Sequence, residues 1–147
     1  MIATEKTEVI KVGDLEIRFH VEASQTEGAA TVFESRVPAG ARVPVPHRHL
    51  GYDESVTCLT GECDFTIEGR AVKLRPGDPA LFVPRGQAHG FANHGTEEVR
   101  LFVVVTPGLL GPDYFRGVAE IVKAGGPPDR ARIAAWMCEH GMEAVPG

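Results

Sequence analysis

Hydrophobic and polar residues alternate with a period of two through much of this chain. Leu15, Ile17 and Phe19 stand against Glu16, Arg18 and His20, and Cys63, Phe65 and Ile67 against Asp64, Thr66 and Glu68. Successive side chains of a strand point to opposite faces, so the pattern predicts antiparallel strands with one face buried and one wet. The runs TEVIKV, LEIRFHVE, TVFESRVP, SVTCLT, CDFTIEG, AVKLRP, ALFVP, HGFAN and VRLFVVV follow one another between residues 7 and 106. Their spacing, roughly 8 to 12 residues, is that of an all-β sandwich or barrel, and no helical segment is predicted among them. The intervening turns PAGA, LTGE, IEGR, RPGD and PRGQ each place a glycine where positive φ is commonly needed.

After VVVTPGLLGP the period changes. Residues 113–123 predict a helix, AGGPPD stops it, and DRARIAAWMCEHG predicts a second helix from Asp129 with Gly141 just past its end. Ile133, Trp136, Met137 and His140 fall at i, i+3, i+4 and i+7, hence on one face. That stripe is expected to pack the helix against the β-structure, with Trp136 a candidate for closing a pocket. The organisation predicted is a β-barrel over residues 1–110 and a helical extension over 111–147 packed on the same domain.

Composition narrows the function. The chain has 147 residues, enough for one domain with its own core, and is 43% hydrophobic and 24% charged, as in ordinary globular proteins. Its 20 acidic residues outnumber 15 Lys and Arg, and no basic run stands out. Nucleic acid and anionic membrane are therefore not expected as partners, whereas a small-molecule substrate is. The first residues carry acids and no apolar h-region, and the apolar run from Leu101 to Val105 is far too short to cross a bilayer, so a cytoplasmic protein is expected. Three cysteines, Cys58, Cys63 and Cys138, form no paired C-x-x-C units and are expected to be reduced. Whether Cys58 and Cys63 bond across the LTGE turn stays open. Neither has a histidine partner assigned, which argues against a cysteine nucleophile, and no G-x-S-x-G elbow, P-loop or dinucleotide fingerprint occurs.

The candidate chemistry lies in PVPHRHLGYDES, residues 44–55. His47 and His49 are two apart, so an extended backbone aims both at one face and turns Arg48 away. Glu54 has the opposite parity and joins them only if LGYD makes a turn, for which Gly51 offers a break; Asp53 is the alternative acid. His89, after the Pro-Arg-Gly turn, brings a third imidazole from a neighbouring strand. Three imidazoles and one carboxylate suit a divalent first-row transition metal with positions left open for water, dioxygen or substrate. His20 and His94 have no partner at ligand spacing, His140 sits near a helix C-terminus, and Arg85 reads as a turn residue near His89. Phe33, Phe82, Phe91 and Phe102 are core candidates first and pocket walls second.

Two segments carry a family resemblance. GARVPVPHRHLGYDESVTCLTG, residues 40–61, resembles the first cupin motif, and GDPALFVPRGQAHGFAN, residues 77–93, resembles the second. The likeness runs over roughly residues 12–106 and is to small single-domain bacterial cupins. Each motif carries one extra residue: six residues separate Gly40 from His47 and Gly77 from Pro84, where the common pattern has five. A bulge or longer turn ahead of the ligands would absorb it. The resemblance implies a double-stranded β-helix, a jelly-roll cupin barrel with a C-terminal helical extension, and metal ligands His47, His49, Glu54 and His89. The tail is similar to the helical extension of quercetin 2,3-dioxygenase-like cupins. It further implies a homodimer, joined through the N-terminal strands, and one divalent metal among Fe, Mn, Ni, Co, Cu and Zn. The activity expected is a metal-dependent dioxygenase acting on an enol, catechol or flavonol-like substrate, with Glu54 as both ligand and proton acceptor. The alternatives are a metal-dependent isomerase or lyase on a carbonyl compound and a non-enzymatic binding or sensor barrel.

Overall fold

The computed structural model describes residues 8–123 and 126–146. Thr7 of the first predicted strand and Ala124–Gly125 of the helix-breaking stretch lie outside the described residues. In chain order the strands are β1 (Val9–Val12), β2 (Leu15–Val21), β3 (Thr31–Val37), β4 (His47–His49), β5 (Asp53–Thr60), β6 (Cys63–Ile67), β7 (Arg70–Leu74), β8 (Leu81–Val83), β9 (His89–Ala92) and β10 (Val99–Thr106). Helices α1 (Pro112–Val122) and α2 (Arg130–Glu139) follow, then a last strand β11 (Met142–Ala144).

Two antiparallel sheets result. One has the order β1-β2-β3-β10-β5-β8 and the other β11-β4-β9-β6-β7. The alternation seen in the sequence sets their inner faces: Leu15, Ile17 and Phe19 of β2 and Leu101, Val103 and Val105 of β10 are buried, whereas their even-numbered neighbours meet solvent to varying degrees. Phe19, Phe33, Val56 and Leu101 from the first sheet meet Cys63, Phe65 and Leu74 from the second in one continuous core. Each fully buried side chain of this size contributes about 1.5–3 kcal/mol of transfer free energy.

The five predicted turn glycines, Gly40, Gly61, Gly69, Gly77 and Gly86, all have positive φ. Gly61 is further constrained: an added Cβ would lie 2.9 Å from the Glu98 carbonyl oxygen and 2.9 Å from Val99 Cγ2. The extra motif residues are absorbed outside the strands, in the irregular stretches at 43–46 and 79–80. Ligand register is thereby kept, and His47 faces His89 directly across β4 and β9.

Both predicted helices form. α1 opens with Pro112 in its first turn and Asp113 near its positive end, and α2 opens at Asp129, whose Oδ1 accepts the Arg132 backbone N–H at 3.1 Å. Gly141, at φ +71°, ends the second. α1 packs on β1, and α2 packs on α1 and β11. None of the described helices is long and apolar enough to cross a membrane.

Three expectations need correction. A 3-10 turn, Ala23–Gln25, interrupts the strands; Gln25 Oε1 accepts the Glu22 backbone N–H at 2.8 Å, a local side-chain bond that competes with extension. Phe82 is 57% exposed, because the parity of the edge strand β8 gives the inward place to Val83. β11 was not expected at all. Three residues carry too little periodicity to be read as a strand, and what selects it is its partner: Met142, Glu143 and Ala144 pair with His49, Arg48 and His47.

Candidate metal centre

The chain leaves the second sheet at His49, bends at Leu50–Gly51, and enters the first sheet at Asp53. This crossing resolves the parity conflict of the sequence, because Glu54 reaches the histidines from the opposite sheet. The bend needs no left-handed glycine at Gly51, where an added Cβ would meet only Leu109 Cδ1 at 3.6 Å.

The ligand atoms of His47, His49 and His89 lie within 4.8 Å of one another, and all three residues are buried. Glu54 Oε2 approaches His89 Nε2 to 3.3 Å and His49 Nδ1 to 3.5 Å. His47 and His89 are fixed in the same way: each Nδ1–H donates to the carbonyl oxygen two residues earlier, Val45 and Gln87, at 2.9 Å. A carbonyl can only accept, so Nδ1 carries the proton and the Nε2 lone pair points inward. His49 is held by stacking instead, between the rings of His47 (5.0 Å) and Tyr52 (4.5 Å).

Burial favours the neutral imidazoles that a metal needs. It lowers His47 to about 3, with repulsion from His89 and His49 adding to the effect. It lowers His49 to about 4, outweighing the attraction of Glu54. Burial alone would raise Glu54, but the close approach of His89 and the charges of the imidazoles prevail and hold it at about 2. His89 moves upward, because Glu54 overcomes the burial that opposes it.

The residues fit a metal ion on an observation of their own. His49 Nδ1, His49 Nε2 and His89 Nε2 are buried without a hydrogen-bond partner. Orphaned ring nitrogens of this kind cost about 1–3 kcal/mol each unless something meets them, and a cation held by the lone pairs of His89 and of the unprotonated His49 nitrogen does so.

The other polar residues are engaged elsewhere. Asp53 accepts from the Arg85 backbone N–H at 2.8 Å and from its guanidinium at 3.1 Å, so neither faces the histidines. Arg48 points outward towards Glu143, at 3.9 Å. His94 pairs with Asp64 at 2.9 Å, and His20 lies on the outer face beside Phe102. His140 Nδ1–H donates to the Trp136 carbonyl at 2.9 Å. Asn93, fully buried, donates to the carbonyls of Val37 and Glu97 and accepts from the Gly95 N–H, which fixes the turn after β9. No disulfide joins the cysteines: Cys58 and Cys63 are buried free thiols.

Three residues near the histidines escaped the sequence reading. Tyr52 is 1% exposed and stacks on His49; its place three residues after that histidine was the available signal. Met142 and Tyr114 line the same cavity as the histidines, and nothing local marked either. Ile133 and Met137 line it as well, whereas Trp136 does not: its indole lies over Gly117 and donates Nε1–H to the Tyr114 carbonyl at 2.9 Å.

Residues 33–105 match the Cupin domain family. A quercetin 2,3-dioxygenase of Bacillus subtilis (strain 168) is 33% identical over 110 residues, 74% of this chain and 31% of the relative. The chain belongs to the cupin superfamily. This cupin thus spans about a third of that dioxygenase's length. Among solved structures, a Thermotoga maritima protein described as a predicted oxalate decarboxylase superposes with a TM-score of 0.62 at 24% identity, covering 69% of the cupin and 91% of that chain. The polyketide cyclase RemF from Streptomyces resistomycificus gives 0.59 at 21%, covering 77% and 87%. Both establish the double-stranded β-helix fold, and neither assigns an activity, because one barrel hosts many chemistries.

Proposed function

We propose that this chain is a metal-dependent dioxygenase acting on a small enol- or catechol-like substrate. The observation that carries the reading is the placement of three convergent imidazoles and one carboxylate in the wall of an otherwise mostly apolar cavity. The quercetin 2,3-dioxygenase relative supports the class of chemistry. His47, His49, Glu54 and His89 would hold one divalent transition metal. When bound, the ion supplies a Lewis acid that favours the anionic form of an enol oxygen. Glu54 receives the enol proton at its carboxylate, beside His89, while the apolar walls exclude water.

The cavity measures about 80 Å³. That is room for on the order of half a dozen water-sized groups, which suits an enolised diketone or a single catechol ring better than a three-ring flavonol. A second reading rests on the Glu54–His89 pair, which can pass a proton without any oxidant: a metal-dependent isomerase or lyase on a carbonyl compound.

Elemental analysis beside a His47→Ala variant tests the metal. Stoichiometric metal in the wild type and loss in the variant are expected, and equal negligible metal in both refutes the site. Dioxygen uptake with diketones, catechols and flavonols tests the reaction. Turnover only in air supports the dioxygenase, turnover under argon selects the second reading, and inertness of every metal-loaded form refutes both.

A further inference from the structure

We infer that Tyr114 is the gate between the metal cavity and solvent, and that its side chain sets the size of ligand admitted. The inference rests on the metal-centre reading above. Besides the inner cavity, the surface carries an open cleft of about 390 Å³ at the start of α1, lined in part by Glu22, Leu109, Asp113, Arg116 and His140. Tyr114 is the residue shared by the walls of both. It is 6% exposed and stands between the two.

The gate requires the Tyr114 ring to move while the backbone stays. The Tyr114 carbonyl accepts the Trp136 indole N–H at 2.9 Å, which fixes the main chain to α2. The ring itself meets Phe115 and His140 edge-on, at 5.2 and 5.6 Å between centroids. Its helix begins without a side-chain cap at Gly111, where an added Cβ would meet nothing within 4 Å. A rotation of the Tyr114 side chain therefore joins a wet, charged vestibule to the apolar chamber, with no helix displaced. Glu22, Asp113 and Arg116 give the vestibule both signs of charge.

Cobalt(II)-loaded protein provides the test, because ligand binding to the ion changes its visible absorption whether or not any reaction is catalysed. Imidazole and 4-phenylimidazole are mixed with wild type, Tyr114→Leu, Tyr114→Trp and Phe115→Ala. Phe115 lines only the inner cavity, so its truncation enlarges the chamber and leaves the partition standing. Wild type is expected to admit imidazole and exclude 4-phenylimidazole. Tyr114→Leu is expected to admit the larger ligand and to bind the smaller one faster by on the order of tenfold, Tyr114→Trp to slow both, and Phe115→Ala to keep the wild-type exclusion. Equal size limits in wild type and Tyr114→Leu, or relief by Phe115→Ala alone, overturn the gate. Should wild type take up no cobalt, the metal reading is what fails; fluorobenzene binding to the metal-free chain, followed by fluorine NMR, then decides the gate by the same order of variants.

Discussion

Replacing Gly117 by Ala sets two effects of opposite sign against each other. Gly117 lies in the interior of α1, where alanine is ordinarily the better helix former by about 1 kcal/mol. Against this, a methyl carbon at 117 would overlap Cε2, Cζ2 and Nε1 of Trp136. The indole must move, and the backbone beneath it cannot yield. Overpacking of this kind costs about 1–3 kcal/mol. Displacing the ring also removes the Nε1–H bond to the Tyr114 carbonyl, about 0.5–1.5 kcal/mol net, and its 4.3 Å contact with His140. The cost outweighs the helix gain, and Gly117→Ala is expected to lose about 1–3 kcal/mol, lowering the melting temperature by roughly 3 to 10 °C. Thermal denaturation reads the first effect. Tryptophan emission reads the second without ambiguity, since Trp136 is the sole tryptophan of the chain. A variant as stable as wild type, with unchanged emission, would mean that α1 and α2 do not meet as described.

Acidification of the metal-free protein should destabilise it between about pH 6.5 and 4. Unfolded histidines bind protons below about 6.5, whereas buried His47 and His49 refuse them until about 3 and 4, so the unfolded state binds more protons over that window. At about 1.4 kcal/mol per unit the two contribute several kcal/mol. The raised His89 opposes them in part, since its contribution is present below pH 6.5 and lost as pH rises through its folded value, and the Glu54 contribution is lost only below 4.5. Urea midpoints with chelator at pH 7.5 and 5 measure the balance; a midpoint that rises or holds on acidification contradicts it. Thiol titration at pH 8 should find one reactive group, exposed Cys138, in the native protein and three after denaturation, because Cys58 and Cys63 are buried and burial pushes the Cys63 thiol to about 12; three fast thiols in the native state would place them wrongly. Asn93→Ala leaves two carbonyls and one N–H without their partner, and a loss of about 2–4 kcal/mol in urea denaturation is expected; a loss under half of that would show the turn holds without it.

The barrel was legible because its signal is local. Period-two alternation from Leu15 to Phe19 and from Cys63 to Phe65, with glycines at five turns, was enough to place the strands and their faces. The geometry of the histidines was legible for a similar reason: His47 and His49 share parity on one strand, and the break after them lets Glu54 arrive from the other sheet. What stayed hidden depends on partners far along the chain. Met142 is buried because β4 offers it a sheet edge, and Tyr114 lines the cavity because α1 folds back onto β1. Phe82 failed in the other direction, since a hydrophobic residue on a short edge strand carries no local mark of which face it will take.

The pairing of β11 with the histidine-bearing strand has a consequence in time. Chains are made N-terminus first at about 5–20 residues per second, so His47 and His49 leave the ribosome on the order of 5–20 seconds before the strand that flanks them. During that interval the strand carrying two of the candidate ligands has at least one open edge, and the cavity lacks Met142, Ile133 and Met137 from its wall. An ion captured then would find a wetter, looser set of imidazoles than the finished barrel presents. Which ion the candidate site takes would then depend on when the ion arrives as much as on which ion is present.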